Sequence, residues 1–128
     1  MMDQKSGFSL KDRMLSFKDA FQGLKRLVVG EHNAWIHAAL TVLVITVAVR
    51  LQVSADDWCW LIAAMGLVWI CEAFNTAIEC LGDAVTTQEH PMIRDAKDLA
   101  AGAVLLAAMT ASVIGIVRLT PYLLRLMS

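Results

Sequence analysis

Four polar side chains, Glu72, Asn75, Glu79 and Asp83, recur at steps of three and four in the stretch EAFNTAIECLGD, directly after the apolar run WCWLIAAMGLVWIC. On a helix turning about 100° per residue, the last three fall at roughly 300°, 340° and 20° from Glu72. All four therefore share one face, which climbs about 16 Å from Glu72 to Asp83. A charged side chain at mid-bilayer costs about 2.5–3.5 kcal/mol on an insertion scale, so such a face in an apolar segment is a functional feature by default. The chain then offers Glu89, His90 and Arg94, followed by Asp95, Lys97 and Asp98, while Glu31 stands just ahead of an earlier apolar run. Acids outnumber bases at this level. Hard oxygen ligands suit Mg²⁺, which takes one or two carboxylates and keeps its other positions for water and phosphate oxygens, and Lys97 would complement a phosphate chain. Metal–nucleotide chemistry at a membrane surface accounts for this set; so does an ion pathway, and the spacing leaves both open.

The elements that must position these groups follow from hydropathy. Of the 128 residues 58% are hydrophobic and only 18% charged, with a mean hydropathy of +0.59, which places the chain among small membrane proteins. Three segments, 34–53, 58–81 and 99–117, approach the roughly 20 apolar residues that span a bilayer. Trp58 and Trp60 mark one interface. The third segment is rich in small residues, among them Ala100, Gly102, Ala107, Ala111 and Gly115, which let helices approach closely in lipid. Ahead of them, over about 8–30, Met14, Phe17, Phe21, Leu24 and Val28 form an apolar stripe flanked by Lys11, Lys18 and Lys25, the pattern of an amphipathic helix lying in the interface. The expected fold is all-α and integral to the membrane: three transmembrane helices preceded by an interfacial helix, in a single membrane domain over 1–128.

Eight basic residues (Lys5, Lys11, Arg13, Lys18, Lys25, Arg26, Arg94, Lys97) fall on one side of this arrangement and three (Arg50, Arg118, Arg125) on the other. That asymmetry predicts a cytoplasmic N-terminus, a short outer loop around Ser54–Asp57 and a cytoplasmic second loop. The N-terminal region lacks a continuous apolar core and a small-residue cleavage site, so no cleaved signal peptide is expected. The formal net charge of −1 gives no argument for a nucleic-acid partner. Cys59, Cys71 and Cys80 lack any C-x-x-C spacing and read as small core residues. His32 and His37, five apart, lack the i, i+4 spacing of a helical zinc pair, which leaves His37 a buried or interfacial polar contact. No Gly-rich phosphate loop of the G-x-x-x-x-G-K-[ST] type is present.

The motifs EAFNTAIECLGD, EHP and AKDLAAGAVLLAA strongly resemble the prokaryotic diacylglycerol kinase family, which includes undecaprenol kinases, over roughly Phe17 to Gly115. The stretch GEHNAWIH is similar to the undecaprenol-kinase branch. The resemblance implies an ATP- and Mg²⁺-dependent lipid kinase of the prokaryotic cytoplasmic membrane, a homotrimer with active sites shared between subunits, whose acceptor is the hydroxyl of undecaprenol or diacylglycerol. It makes Glu72 the general base and Glu31 and Glu79 the magnesium ligands. Asn75, Lys97, Asp98, Glu89 and His90 join Glu31 and Glu79 in the nucleotide site, with Asp83 as a supporting acid at the helix end.

Overall fold

The computed structural model describes residues 9–127, and every regular element among them is helical: α1 (Leu10–Gly30), α2 (His32–Leu51), α3 (Ala55–Val85) and α4 (Pro91–Met127). The expected all-α class is therefore found. The first residue of the expected interfacial helix, at position 8, lies outside the described residues, as does Lys5. The chain forms two compact units, one ending at Glu31 and the other beginning at His32.

The first unit is α1. Ser9 caps it by accepting a hydrogen bond from the Asp12 backbone N–H at 3.3 Å, which satisfies one of the donors left over in a first helical turn. Met14, Phe17, Phe21, Leu24 and Val28 are all exposed. An apolar stripe of this length facing outward suits a helix whose second solvent is the lipid boundary. Glu31 closes the helix, its backbone N–H donating to the Leu27 carbonyl at 3.3 Å.

In the second unit, α2, α3 and α4 are each long and apolar enough to cross a membrane. α3 and α4 outrun the expected segments at both ends, whereas α2 starts and stops two residues ahead of its expected span. α2 begins at His32 and stops at Leu51, α3 covers 31 residues and α4 covers 37. The reason is that hydropathy marks only the apolar stretch, whereas the backbone hydrogen-bond ladder continues through polar flanks once a helix is nucleated. Two loop assignments change with it. The short outer connection lies at 52–54, earlier than expected, because Ser54 caps α3 and Asp57 already lies in its first turn, and Arg94 belongs to α4 rather than to the loop before it. Pro121 sits inside α4.

The α2–α3 turn is tight. The Val53 N–H reaches the Ala48 carbonyl at 3.3 Å and the Gln52 N–H the Val49 carbonyl at 3.2 Å, with Gln52 at φ 50°. This is the Schellman arrangement, with glutamine where glycine is usual. Beneath the turn, Ala48, Val53 and Leu61 are buried against Trp58, Met65, Leu119 and Tyr122. α3 and α4 form the main pair, and α2 packs on both more thinly.

A polar node fastens the α3–α4 pair at this end. The Asp57 carboxylate accepts from Ser54 Oγ at 2.6 Å, Tyr122 OH at 2.6 Å and Arg118 Nη1 at 3.3 Å. Arg118 also donates to Asp56 at 2.8 Å and lies over the Trp60 ring at 5.2 Å, and the Ser54 N–H donates to Tyr122 OH at 3.1 Å. The cysteines are not core residues as expected: Cys59 and Cys80 are exposed and Cys71 is half-buried. A thiol is apolar enough to face hydrocarbon without penalty, so burial in protein is not required of it.

Candidate active site

The polar face of α3 is realised as a row. Glu72 is 1% exposed and Asn75 6%. One turn on, the Asn75 amide nitrogen donates to Glu79 Oε1 at 3.0 Å, the i, i+4 pairing that a helix surface favours. Next to Glu72, His37 on α2 brings Nε2 to 3.7 Å from Glu72 Oε2. The His37 ring stands edge-on to Trp69, with centroids 6.5 Å apart, and Trp69 is tied to α2 by its indole N–H, which donates to Thr41 Oγ1 at 3.1 Å. Asn75 Oδ1 and Thr76 Oγ1 are buried with no hydrogen-bond partner among the described residues.

At the far end of the row, Lys97 on α4 donates to Asp83. The two residues lie fourteen apart in sequence; the approach is allowed by Gly82, where an added Cβ would stand 2.8 Å from Lys97 Cε and 2.9 Å from Ile93 Cγ2. The Lys97 ammonium sits in the field of Asp83 first and of Glu79 also, which links the row to the loop beyond it. That loop and the start of α4 enclose an open cavity of about 900 Å³, whose lining includes Asp83, Glu89, His90, Arg94, Lys97 and Asp98. Glu89, His90 and Asp98 are exposed there.

Of the expected site residues, the structure thus joins Asn75 to Glu79 and Asp83 to Lys97, and places Asp83, Lys97, Glu89, His90 and Asp98 around one cavity. Glu31 belongs to the N-terminal unit, where it caps α1. Sequence reasoning missed Thr76 and Gly82. Thr76 lies on the same face, one turn past Glu72, but its uncharged hydroxyl gives no signal in an apolar segment, and Gly82 discloses its role only once Lys97 is seen crossing above it.

The donor chemistry bears on a metal. The cavity lining holds four carboxylates (Asp83, Glu89, Asp95, Asp98) against two bases (Arg94, Lys97), so a triphosphate entering it needs added positive charge. The free acceptor oxygen of Asn75 lies beside Glu79, and both are hard ligands of the kind Mg²⁺ takes. Among the described residues no three His, Cys, Asp or Glu side chains gather as a closed metal site. This donor set fits an ion completed by phosphate and water, and not a caged structural metal.

Comparison with known proteins points to one family. The family model described as prokaryotic diacylglycerol kinase matches residues 18–119. A diacylglycerol kinase of Synechocystis sp. is 40% identical over 115 residues, covering 89% of this chain and 66% of the relative. An undecaprenol kinase of Bacillus subtilis is 33% identical over 108 residues, covering 84% of this chain and 88% of the relative. A diacylglycerol kinase of Escherichia coli K12 is 34% identical over 89 residues, covering 64% and 73%. The chain thus spans just under two thirds of the Synechocystis protein and most of the Bacillus one. With its three membrane-length helices and its α3 motif, the chain belongs to the prokaryotic diacylglycerol kinase family of membrane lipid kinases.

Proposed function

We propose that this chain transfers the γ-phosphoryl group of ATP, with Mg²⁺, to the hydroxyl of a membrane lipid alcohol, undecaprenol or diacylglycerol, at the cytoplasmic face of the prokaryotic inner membrane. The N-terminus and the α3–α4 loop lie on that face, and the working form is a homotrimer with sites shared between subunits. The observation that carries the reading is the row from buried Glu72 through Asn75 and Glu79 to Lys97. It leads from an apolar environment suited to a lipid hydroxyl to a charged cavity suited to a nucleotide.

Phosphoryl transfer asks for in-line positioning and charge neutralisation more than covalent chemistry. Glu72 receives the proton of the lipid hydroxyl as general base, the role its depth suits. Glu79, with Glu31, would hold the magnesium ion, and Asn75 orients Glu79 through its amide hydrogen bond. Bound there, the ion would supply positive charge against that of the phosphate chain. Lys97, steered by Asp83, contacts the phosphate chain; Glu89, His90 and Asp98 complete the nucleotide site.

The test is transfer of label from γ-labelled ATP in bilayers containing purified protein, with undecaprenol and diacylglycerol offered side by side, with and without Mg²⁺. Label on one alcohol or both, dependent on Mg²⁺, is expected. No label on either removes the proposal.

A further inference from the structure

Resting on the lipid-kinase reading, we infer that His37 is the proton partner of Glu72, taking up the proton that Glu72 removes from the acceptor alcohol. The inference stands on a geometric match between two helices. On α2, His37 and Thr41 lie one turn apart on one face; on α3, Trp69 and Glu72 lie three apart on the face opposite. Thr41 fixes Trp69 at 3.1 Å, Trp69 meets the edge of the His37 ring, and His37 Nε2 stands 3.7 Å from Glu72 Oε2. That separation is about half an ångström beyond a hydrogen bond, within reach of a small rotation of either side chain.

A carboxylate as enclosed as Glu72 is costly to ionise without a basic neighbour, and a base that keeps its proton cannot serve the next turnover. His37 is among the partners of Glu72 and answers both needs. On the α2 side the titratable group is His37, and on α3 it is Glu72, with Glu79 two turns along. From α4 the cavity that His37 lines receives Ala108, Ala111, Ser112 and Gly115, none of them titratable. In the step, the lipid O–H bond breaks and its proton goes to Glu72 as the lipid oxygen bonds to the γ-phosphorus. The bond from that phosphorus to the β-phosphate oxygen breaks, and its electron pair leaves with ADP. Neutral His37 then accepts the proton from Glu72 at Nε2 and releases it to water.

The cavity beside His37 holds about 500 Å³, room enough for a small heterocycle, and this supplies the test. His37→Gln should lower kcat for lipid phosphorylation about 10²-fold with the KM for MgATP little changed, and imidazole in the buffer should restore part of the rate to His37→Ala. Independently of turnover, the ¹⁵N signals of the His37 ring in full-length protein without nucleotide should move on Glu72→Gln. A His37→Gln protein with wild-type kcat, an His37→Ala protein deaf to imidazole, or ring signals indifferent to Glu72→Gln would overturn the role of His37. A wild-type protein that phosphorylates no lipid alcohol overturns the kinase reading itself.

Discussion

Asp57 and Glu72 are carboxylates on one helix, 8% and 1% exposed, and the molecule treats them differently. At the α2–α3 turn, both Asp57 oxygens are engaged by donors from Ser54, Tyr122 and Arg118. Each of its oxygens is partnered within the fold. Around Glu72, by contrast, the next polar groups along the face keep capacity in reserve: Asn75 spends its N–H on Glu79 while its carbonyl oxygen and the Thr76 hydroxyl stay buried without partners among the described residues. Buried acceptors left open are costly unless something arrives to use them. The saturated end is a fastening between α3 and α4, and the open end is where we place the chemistry.

Substitutions can break this contrast, and the largest effect belongs to the open end. Glu72→Gln keeps the shape and removes the proposed base, so kcat should fall about 10²–10⁴-fold while nucleotide binding, measured by titration, stays near wild type. Lys97→Met should lower kcat/KM for MgATP about 10²-fold, read from initial rates across ATP concentrations. Asp83→Asn, which only loosens the hold on Lys97, should cost less in the same assay. At the saturated end the sign of the outcome changes. Tyr122→Phe removes a donor to Asp57 and an acceptor from the Ser54 N–H, and should destabilise the fold by about 1–3 kcal/mol in a detergent-unfolding measurement with no change in KM. Gln52→Gly is the smallest: it relieves a left-handed backbone at φ 50°, and its net gain should be about 0.5–1 kcal/mol after the entropic cost of glycine.

The open end was legible in the sequence because helical periodicity is local. Once Glu72, Asn75, Glu79 and Asp83 fall at steps of three and four, the geometry of one helix places them together, and the motif around them carries the family. The spans were legible from hydropathy in number and type; their ends were not, because a helix that leaves the apolar layer keeps its backbone bonds through Arg94, Asp95 and Lys97 at one end, and at the other its path continues past Pro121, which itself donates none. The saturated end was hidden. Asp57 meets Arg118 and Tyr122 across 61 and 65 residues of chain, a pairing that no local spacing encodes, and Arg118 reads in sequence as a flanking charge. Gly82 was hidden for a related reason, since only the path of Lys97 shows why a side chain there would be in the way.

The contrast is tested most directly by assaying Glu72→Gln and Tyr122→Phe together, in bilayers containing the preferred alcohol, Mg²⁺ and labelled ATP, with rates normalised to folded protein. The account predicts that Glu72→Gln transfers almost no phosphate while Tyr122→Phe transfers it at the wild-type rate. Equal rates in the two variants, whether both high or both lost, contradict it.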